Sequence, residues 1–181
     1  MTQSFRYVNF EGNIKARIKT DSLIDADRYY DINFMNQEWK KIWTKTWLFA
    51  GLESDLKESG DFFVFGLGKE SILITKMNNG KIGAFFNSCQ HRGNKIVNAE
   101  QGTVNKISCP YHGWTYNLDG SLKEVPDKER FKFKLPCSEK NLKKVKVGIW
   151  AGMIWINMDL KAMNFNKFVG LIKKRLEPYH F

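Results

Sequence analysis

Two short segments, Cys89-Gln90-His91 and Cys109-Pro110-Tyr111-His112, each pair one thiol with one imidazole, and together they constrain the chain more than any other feature. The chain has three Cys and three His, and the two segments use all but Cys137 and His180. A fold that gathers these four side chains closes a metal centre. Each segment supplies one soft sulfur and one nitrogen, which suits a centre whose two metal atoms differ in coordination. A two-iron cluster with Cys₂ on one iron and His₂ on the other is such a centre. Two plainer readings compete: a structural Cys₂His₂ zinc site, and two core cysteines with two surface histidines. Zinc's usual spacing sets Cys with Cys and His with His, whereas here each pair is mixed. Gly93 and Gly113 follow the histidines, where tight turns could aim backbone N–H groups at bridging sulfides, which a zinc site lacks.

Cys89-Gln90-His91-Arg92-Gly93, a gap, and Cys109-Pro110-Tyr111-His112-Gly113-Trp114 resemble the Rieske [2Fe-2S] motif of the large, α-type subunit of ring-hydroxylating and related Rieske non-haem iron oxygenases. The resemblance continues on both sides, in Ile42-Trp43 before Thr46-Trp47, in Gly60-Asp61, in Phe85-Phe86-Asn87, in Trp114-Thr115-Tyr116-Asn117-Leu118-Asp119-Gly120 and in the run from Gly148 to Asn157. It implies that Cys89 and Cys109 hold an inner iron and that His91 and His112 hold an outer iron. Two ferric ions, two sulfides and two thiolates sum to zero charge, so such a cluster accepts an electron more readily than an all-cysteine one. By the same resemblance, the disulfide cysteines of respiratory Rieske proteins would fall at Asn94 and Tyr111, and their serine donor to the cluster is replaced by Trp114. A potential near the low end of the Rieske range, roughly −150 mV, is therefore expected.

The implied fold is mainly β: a Rieske-type antiparallel β-sandwich with the cluster-binding loops at one end, flanked by N-terminal and C-terminal helices. Three stretches follow: an N-terminal helical segment at 1–46, the [2Fe-2S] domain at 47–160, and a C-terminal helix at 161–181. Periodicity predicts a helix from Asn33 to Thr44, capped by Asp31 or Asn33, with Met35, Trp39, Ile42 and Trp43 on a core-facing stripe. Strands are expected at Phe62–Phe65, Ser71–Lys76, Lys81–Phe86, Lys106–Cys109, Thr115–Asn117 and Ile149–Asn157. Asn78-Asn79-Gly80 and Leu118-Asp119-Gly120 supply turns. Asn164 to Glu177 reads as a basic amphipathic helix with Phe165, Phe168, Val169, Ile172 and Leu176 on one face. Cys137 is expected to be a half-buried side chain.

The resemblance implies one-electron transfer through the cluster, in the domain that receives electrons for an oxygenase. A reductase or ferredoxin would be the donor, and the acceptor would be a catalytic domain in the same or a neighbouring subunit of a homotrimer. That domain needs a mononuclear iron with a two-histidine, one-carboxylate face. His180 is the one histidine outside the two segments, so the mononuclear iron is not expected in this chain. The alternative is a stand-alone, ferredoxin-like carrier without oxygenase activity. Arg92 and Trp114 are expected to shape the docking surface, unless Trp114 simply shields the cluster from water.

A formal charge of +10 raises the question of nucleic acid. The excess is mostly Lys spread along solvated faces, as in the Lys140–Lys146 stretch, so no nucleic-acid partner is expected. A basic face that helps dock an acidic electron carrier is compatible with it. No apolar run approaches the roughly 18 residues of a membrane span, and Met1 to Phe10 contains no apolar signal core. With thiols that must stay reduced until a cluster is inserted, a cytoplasmic protein is the expectation.

Overall fold

The computed structural model describes residues 26–179, so the earlier part of the predicted N-terminal segment, and His180, lie outside the described residues. The chain divides into a unit at 1–36 and a larger unit at 37–181. Helix α1 (Ile32–Glu38) begins where Asp31 accepts the Asn33 N–H at 2.8 Å, the cap expected of an aspartate at a helix start.

The predicted helix does not continue as an α-helix to Thr44. From Trp39 to Trp43 it widens into a π-helical turn, closed by the Thr44 N–H on the Trp39 carbonyl at 3.3 Å. The extra residue in that turn rotates the apolar stripe off its face. Trp39 packs at Gly68, while Ile42 and Trp43 emerge 48% and 39% exposed and no residue of α1 is buried, so the stripe is not core.

The main sheet is antiparallel. In chain order its strands are β1 (Leu48–Leu52), β2 (Asp61–Leu67), β3 (Glu70–Lys76), β4 (Ile82–Phe86), β5 (Gln101–Thr103), β9 (Lys144–Trp150) and β10 (Met153–Asn157), arranged β1-β10-β9-β4-β3-β2-β5. A small sheet of β6 (Ile107–Ser108), β7 (Thr115–Tyr116) and β8 (Leu122–Glu124) lies over one of its faces. Strand β3 shows why the large sheet is a double-sided core. Its alternate side chains go to opposite faces: Leu73 packs with Phe85, Tyr116 and Trp114 beneath the small sheet, while Ile72 and Ile74 pack with Ala84, Ile154 and Ile156 on the other side. Thr75, also on the small-sheet side, donates its hydroxyl to the Leu118 carbonyl at 3.0 Å.

The expected strand from Ile149 to Asn157 is in fact a hairpin, with Trp150 paired to Met153 across Ala151-Gly152. Both turn residues have positive φ, 52° and 71°, as a two-residue hairpin requires. An alanine in that conformation is unusual, which is why the run reads as one continuous strand. The Lys140–Lys146 stretch enters β9 only at Lys144, with Val145 buried between exposed Lys144 and half-buried Lys146.

Helix α2 (Phe165–Leu176) is started by Asn164, whose side chain accepts the Asn166 N–H at 2.9 Å. Phe165 and Val169 are buried with Trp47, and the Trp47 and Phe165 rings lie 4.9 Å apart. Phe168 and Ile172, expected on the same buried face, are 39% and 50% exposed.

Candidate metal centre

The end of β4 delivers the first cysteine and the β6–β7 hairpin carries the second. At the end of β4, buried Asn87 uses every polar atom of its amide. Its oxygen accepts the N–H groups of Ile96 and Val97, and its nitrogen donates to the Val97 carbonyl at 2.7 Å and the Ser71 hydroxyl at 3.2 Å. This pins the return of the first loop beside its departure. In the second loop Ile107 pairs with Tyr116 and Ser108 with Thr115, so Cys109–Trp114 is the connection of a hairpin.

The two loops close by one hydrogen-bond scheme. The Cys89 N–H donates to the carbonyl of Asn94 and the Gly93 N–H returns to the carbonyl of Cys89. Likewise the Cys109 N–H donates to Trp114 and the Gly113 N–H returns to Cys109, all at 2.8 to 3.0 Å. Gly93 and Gly113 sit at φ 78° and 69°, which a side chain would resist. The N–H groups of the two glycines themselves are committed to the cysteine carbonyls, so the backbone donors expected to face bridging sulfides are not these two.

Cys89 and Cys109 are buried and unpaired with any disulfide partner, and each sulfur meets a polar side chain from across the gap between the loops. The Tyr116 hydroxyl is 3.3 Å from the Cys89 sulfur and accepts the Gln90 N–H at 3.0 Å. The Asn94 amide nitrogen is 3.9 Å from the Cys109 sulfur, a weaker contact. Burial pushes the Cys89 thiol pKa up, opposed by the Tyr116 hydrogen bond, and burial likewise raises that of Tyr116. Burial thus favours the protonated Cys89 thiol in the free chain, and a bound cation would be what makes a thiolate of it.

The histidines stand side by side, ring centroids 4.7 Å apart, in different surroundings. His91 stacks on Trp114 at 5.0 Å and 10°, with Phe131 edge-on at 5.8 Å. Burial, with the nearby His112, Arg92 and Lys140, lowers its pKa and keeps it neutral, the form that can ligate a metal. Its Nδ1 is buried without a hydrogen-bond partner, an expensive state for a ring nitrogen unless something binds there. His112 is exposed, with the ring of Tyr111 against it at 3.8 Å.

Two thiols, two imidazoles and one orphaned ring nitrogen fit a group with two metal atoms. Among the described residues no three His, Cys, Asp or Glu side chains converge on a point for one metal ion, which the zinc reading would need. A profile of the Rieske [2Fe-2S] domain matches residues 46–146. The chain belongs to the Rieske [2Fe-2S] domain family.

Relatives of this Rieske domain are oxygenase subunits. It is 31% identical over 150 residues to the biphenyl 2,3-dioxygenase subunit alpha of Rhodococcus jostii (strain RHA1), covering 83% of this chain and 33% of that one. Against the glycine betaine monooxygenase oxygenase subunit of Pseudomonas aeruginosa (strain UCBPP-PA14) the identity is 32%, over 83% of this chain and 35% of the relative. The structure of naphthalene 1,2-dioxygenase with indole bound superposes with a TM-score of 0.75 at 29% identity, covering 83% of this chain and 34% of that one. The apo form of a quaternary ammonium Rieske monooxygenase, CntA, gives a TM-score of 0.77 at 28% identity, covering 83% and 44%. The chain therefore spans about a third of the length of the curated relatives it matches.

Other expectations divide. Trp114 is 2% exposed, so it belongs to the wall around His91 and not to a docking surface, whereas Arg92 is exposed. Tyr116 and Asn94 were missed as partners of the sulfurs. Nothing in the spacing of the motif signals them, because both contacts cross between loops. Cys137 is half-buried, as expected. No helix among the described residues is long and apolar enough to cross a membrane.

Proposed function

We propose that Cys89, His91, Cys109 and His112 are the ligands of the family's [2Fe-2S] cluster, and that this chain is the electron-receiving domain of a Rieske oxygenase. The observation that carries the ligand assignment is the buried, partnerless Nδ1 of His91 beside His112, on loops that also supply two buried cysteines. The cluster, when bound, supplies a one-electron store whose potential is raised by its imidazole ligands. The chain's residues do the rest. Trp114 and Phe131 exclude water from the His91 side, Tyr116 offers its hydroxyl proton to the Cys89 sulfur, and the glycine-closed loops hold the four ligand positions in place.

Residues 47–160 form the cluster-bearing domain in this reading, with 1–46 and 161–181 as its junctions. The names of the relatives support an oxygenase. A reductase or ferredoxin as electron donor, a homo-oligomeric assembly, a mononuclear iron held outside these residues and a cytoplasmic location complete the proposal. Their names span an aromatic hydrocarbon and a quaternary amine, so they support the reaction class and not a substrate.

Iron and acid-labile sulfide analysis of the purified chain tests the ligand assignment. About two of each per chain are expected, with a red-brown colour and a paramagnetic signal on one-electron reduction. Cys109→Ser should lose the colour, and His112→Cys should keep a cluster of lower potential. A colourless, zinc-loaded chain would sink the assignment.

A further inference from the structure

We propose that the surface strap at 128–134, which lies over His91, is the docking site for an acidic one-electron carrier protein. The inference rests on the ligand assignment above and deepens it by naming where the donor binds. Lys128–Arg130 forms a short 3-10 turn, and Arg130-Phe131-Lys132-Phe133-Lys134 after it alternates aromatic and basic residues like a strand, yet pairs with no strand of either sheet. The alternation serves two surfaces at once. Phe131 and Phe133 turn inward, 5.4 Å and 5.7 Å from Trp114, and Phe131 also reaches His91. Arg130, Lys132 and Lys134 remain exposed on the outside.

The strap carries four cations against Glu129 and the neighbouring Asp127, and Asp127 is occupied by Arg130 at 3.7 Å. Arg92 and Lys140 add positive charge close enough to bear on His91. Beside the strap is a hollow of about 440 Å³, with Val125, Phe131, Phe133 and Leu135 as its apolar lining and Lys128, Glu129 and Lys134 at its margin, a rim that is net positive. An apolar centre with a charged rim is the anatomy of a protein–protein contact. The sign of the rim selects an acidic partner, and its charge speeds encounter. Electron transfer between proteins falls steeply with distance, and a partner seated here is separated from the His91 ring by a single layer of aromatic side chains. The reduced carrier would give up one electron and this chain's centre would gain one, with no atom or proton changing hands.

The test is calorimetric titration of the cluster-loaded chain with an oxidised, acidic plant-type [2Fe-2S] ferredoxin as probe, at ionic strengths of about 20 mM and about 150 mM. Wild type should bind, more weakly at the higher salt. Lys132→Glu/Lys134→Glu should weaken binding by about tenfold or more at low salt and flatten the salt dependence. Lys173→Glu/Lys174→Glu, the same charge change on α2, should cost less than about threefold. Both positions of the strap variant are exposed; Lys132→Gln/Lys134→Gln gives a milder version should charge reversal disturb folding. No binding by wild type, or equal weakening by the strap and α2 variants, overturns the proposal. Iron and sulfide content of the same samples separates the two readings: a loaded chain with an indifferent strap sinks the docking site alone, whereas a chain that takes up no cluster sinks both.

Discussion

The Tyr116 hydroxyl accepts the Gln90 N–H and lies 3.3 Å from the sulfur of Cys89, a contact in which either the hydroxyl or the free thiol can donate. A metal-bound thiolate carries no proton, and the tyrosine must then be the donor. Tyr116 is fully buried, which fixes the hydroxyl in place and strengthens the bond. With Cys89 as a cluster ligand, a tyrosine that the motif does not announce would offset in part the low potential expected from the absence of the respiratory serine.

Hydrogen bonds to cluster sulfurs favour the reduced, more negative state. Tyr116→Phe should lower the reduction potential. If the bond is about 1 kcal/mol stronger in the reduced state, the shift is on the order of 40 mV for a one-electron couple. Voltammetry of the loaded chain measures it, and an unchanged potential would show that the hydroxyl does not donate to the sulfur.

Trp114 fills the space between His91, Phe131 and Phe133 and is 2% exposed. Trp114→Ala should leave a cavity there and cost about 3–5 kcal/mol of stability. The reduced cluster should also be lost faster in air once water reaches the His91 side. Denaturant unfolding and the decay of visible absorbance read the two effects. A variant as stable as wild type would mean that the wall around His91 closes without the indole.

The side chain of Asn87 satisfies two backbone N–H groups of the first loop. In Asn87→Ala these donors are left buried without partners, at about 1–3 kcal/mol each. Stability should fall by roughly 2–6 kcal/mol, and cluster uptake should fall with it. Full iron loading at unchanged stability would argue that the loop is held from elsewhere.

Asp61 accepts the Glu58 N–H at 2.7 Å and the Thr103 hydroxyl at 2.6 Å, linking β2 to the edge strand β5. The Glu58 N–H first, and then the Thr103 hydroxyl, hold its carboxyl below the usual aspartate value of 3.8. Its folded pKa is depressed, so its contribution is present above the unfolded pKa and is lost as pH falls through the folded one. Between pH 5 and pH 3 wild type should lose stability faster than Asp61→Asn. Parallel urea midpoints across that window would show that this carboxylate is not linked to folding.

Gly148 belongs to the resemblance only as one letter of a long run, yet a methyl group there would strike the ring of Phe165. Gly148→Ala should push α2 from β9 and cost about 1–3 kcal/mol. The near-ultraviolet signal of Trp47, which packs on the same ring, should change with it. An unaltered spectrum and melting temperature would mean that α2 is free to shift.

How much was legible depended on how local the signal was. The strand positions from Phe62 to Phe86 and the turns at Asn78–Gly80 and Leu118–Gly120 are written in alternation and turn residues, and they recur within a residue or two of the observed bounds. Strands β5 and β8 have three residues each, too few to show a period, and were not foreseen. The stripe of Trp39, Ile42 and Trp43 failed because a single π-helical turn shifts every later residue around the axis, and no residue type marks such a turn.

The chemistry of the centre was determined by the sequence: two Cys, two His, and glycines where the loops must turn with positive φ. Those are properties of residue type and spacing, and a short loop has few ways to satisfy them. The inequality between the two histidines, the Tyr116 and Asn94 contacts to opposite sulfurs, and the strap that covers His91 were decided only when β4 and the β6–β7 hairpin came together. Each is a contact between segments distant along the chain, and burial, which sets the strength of such contacts, exists only in the folded protein.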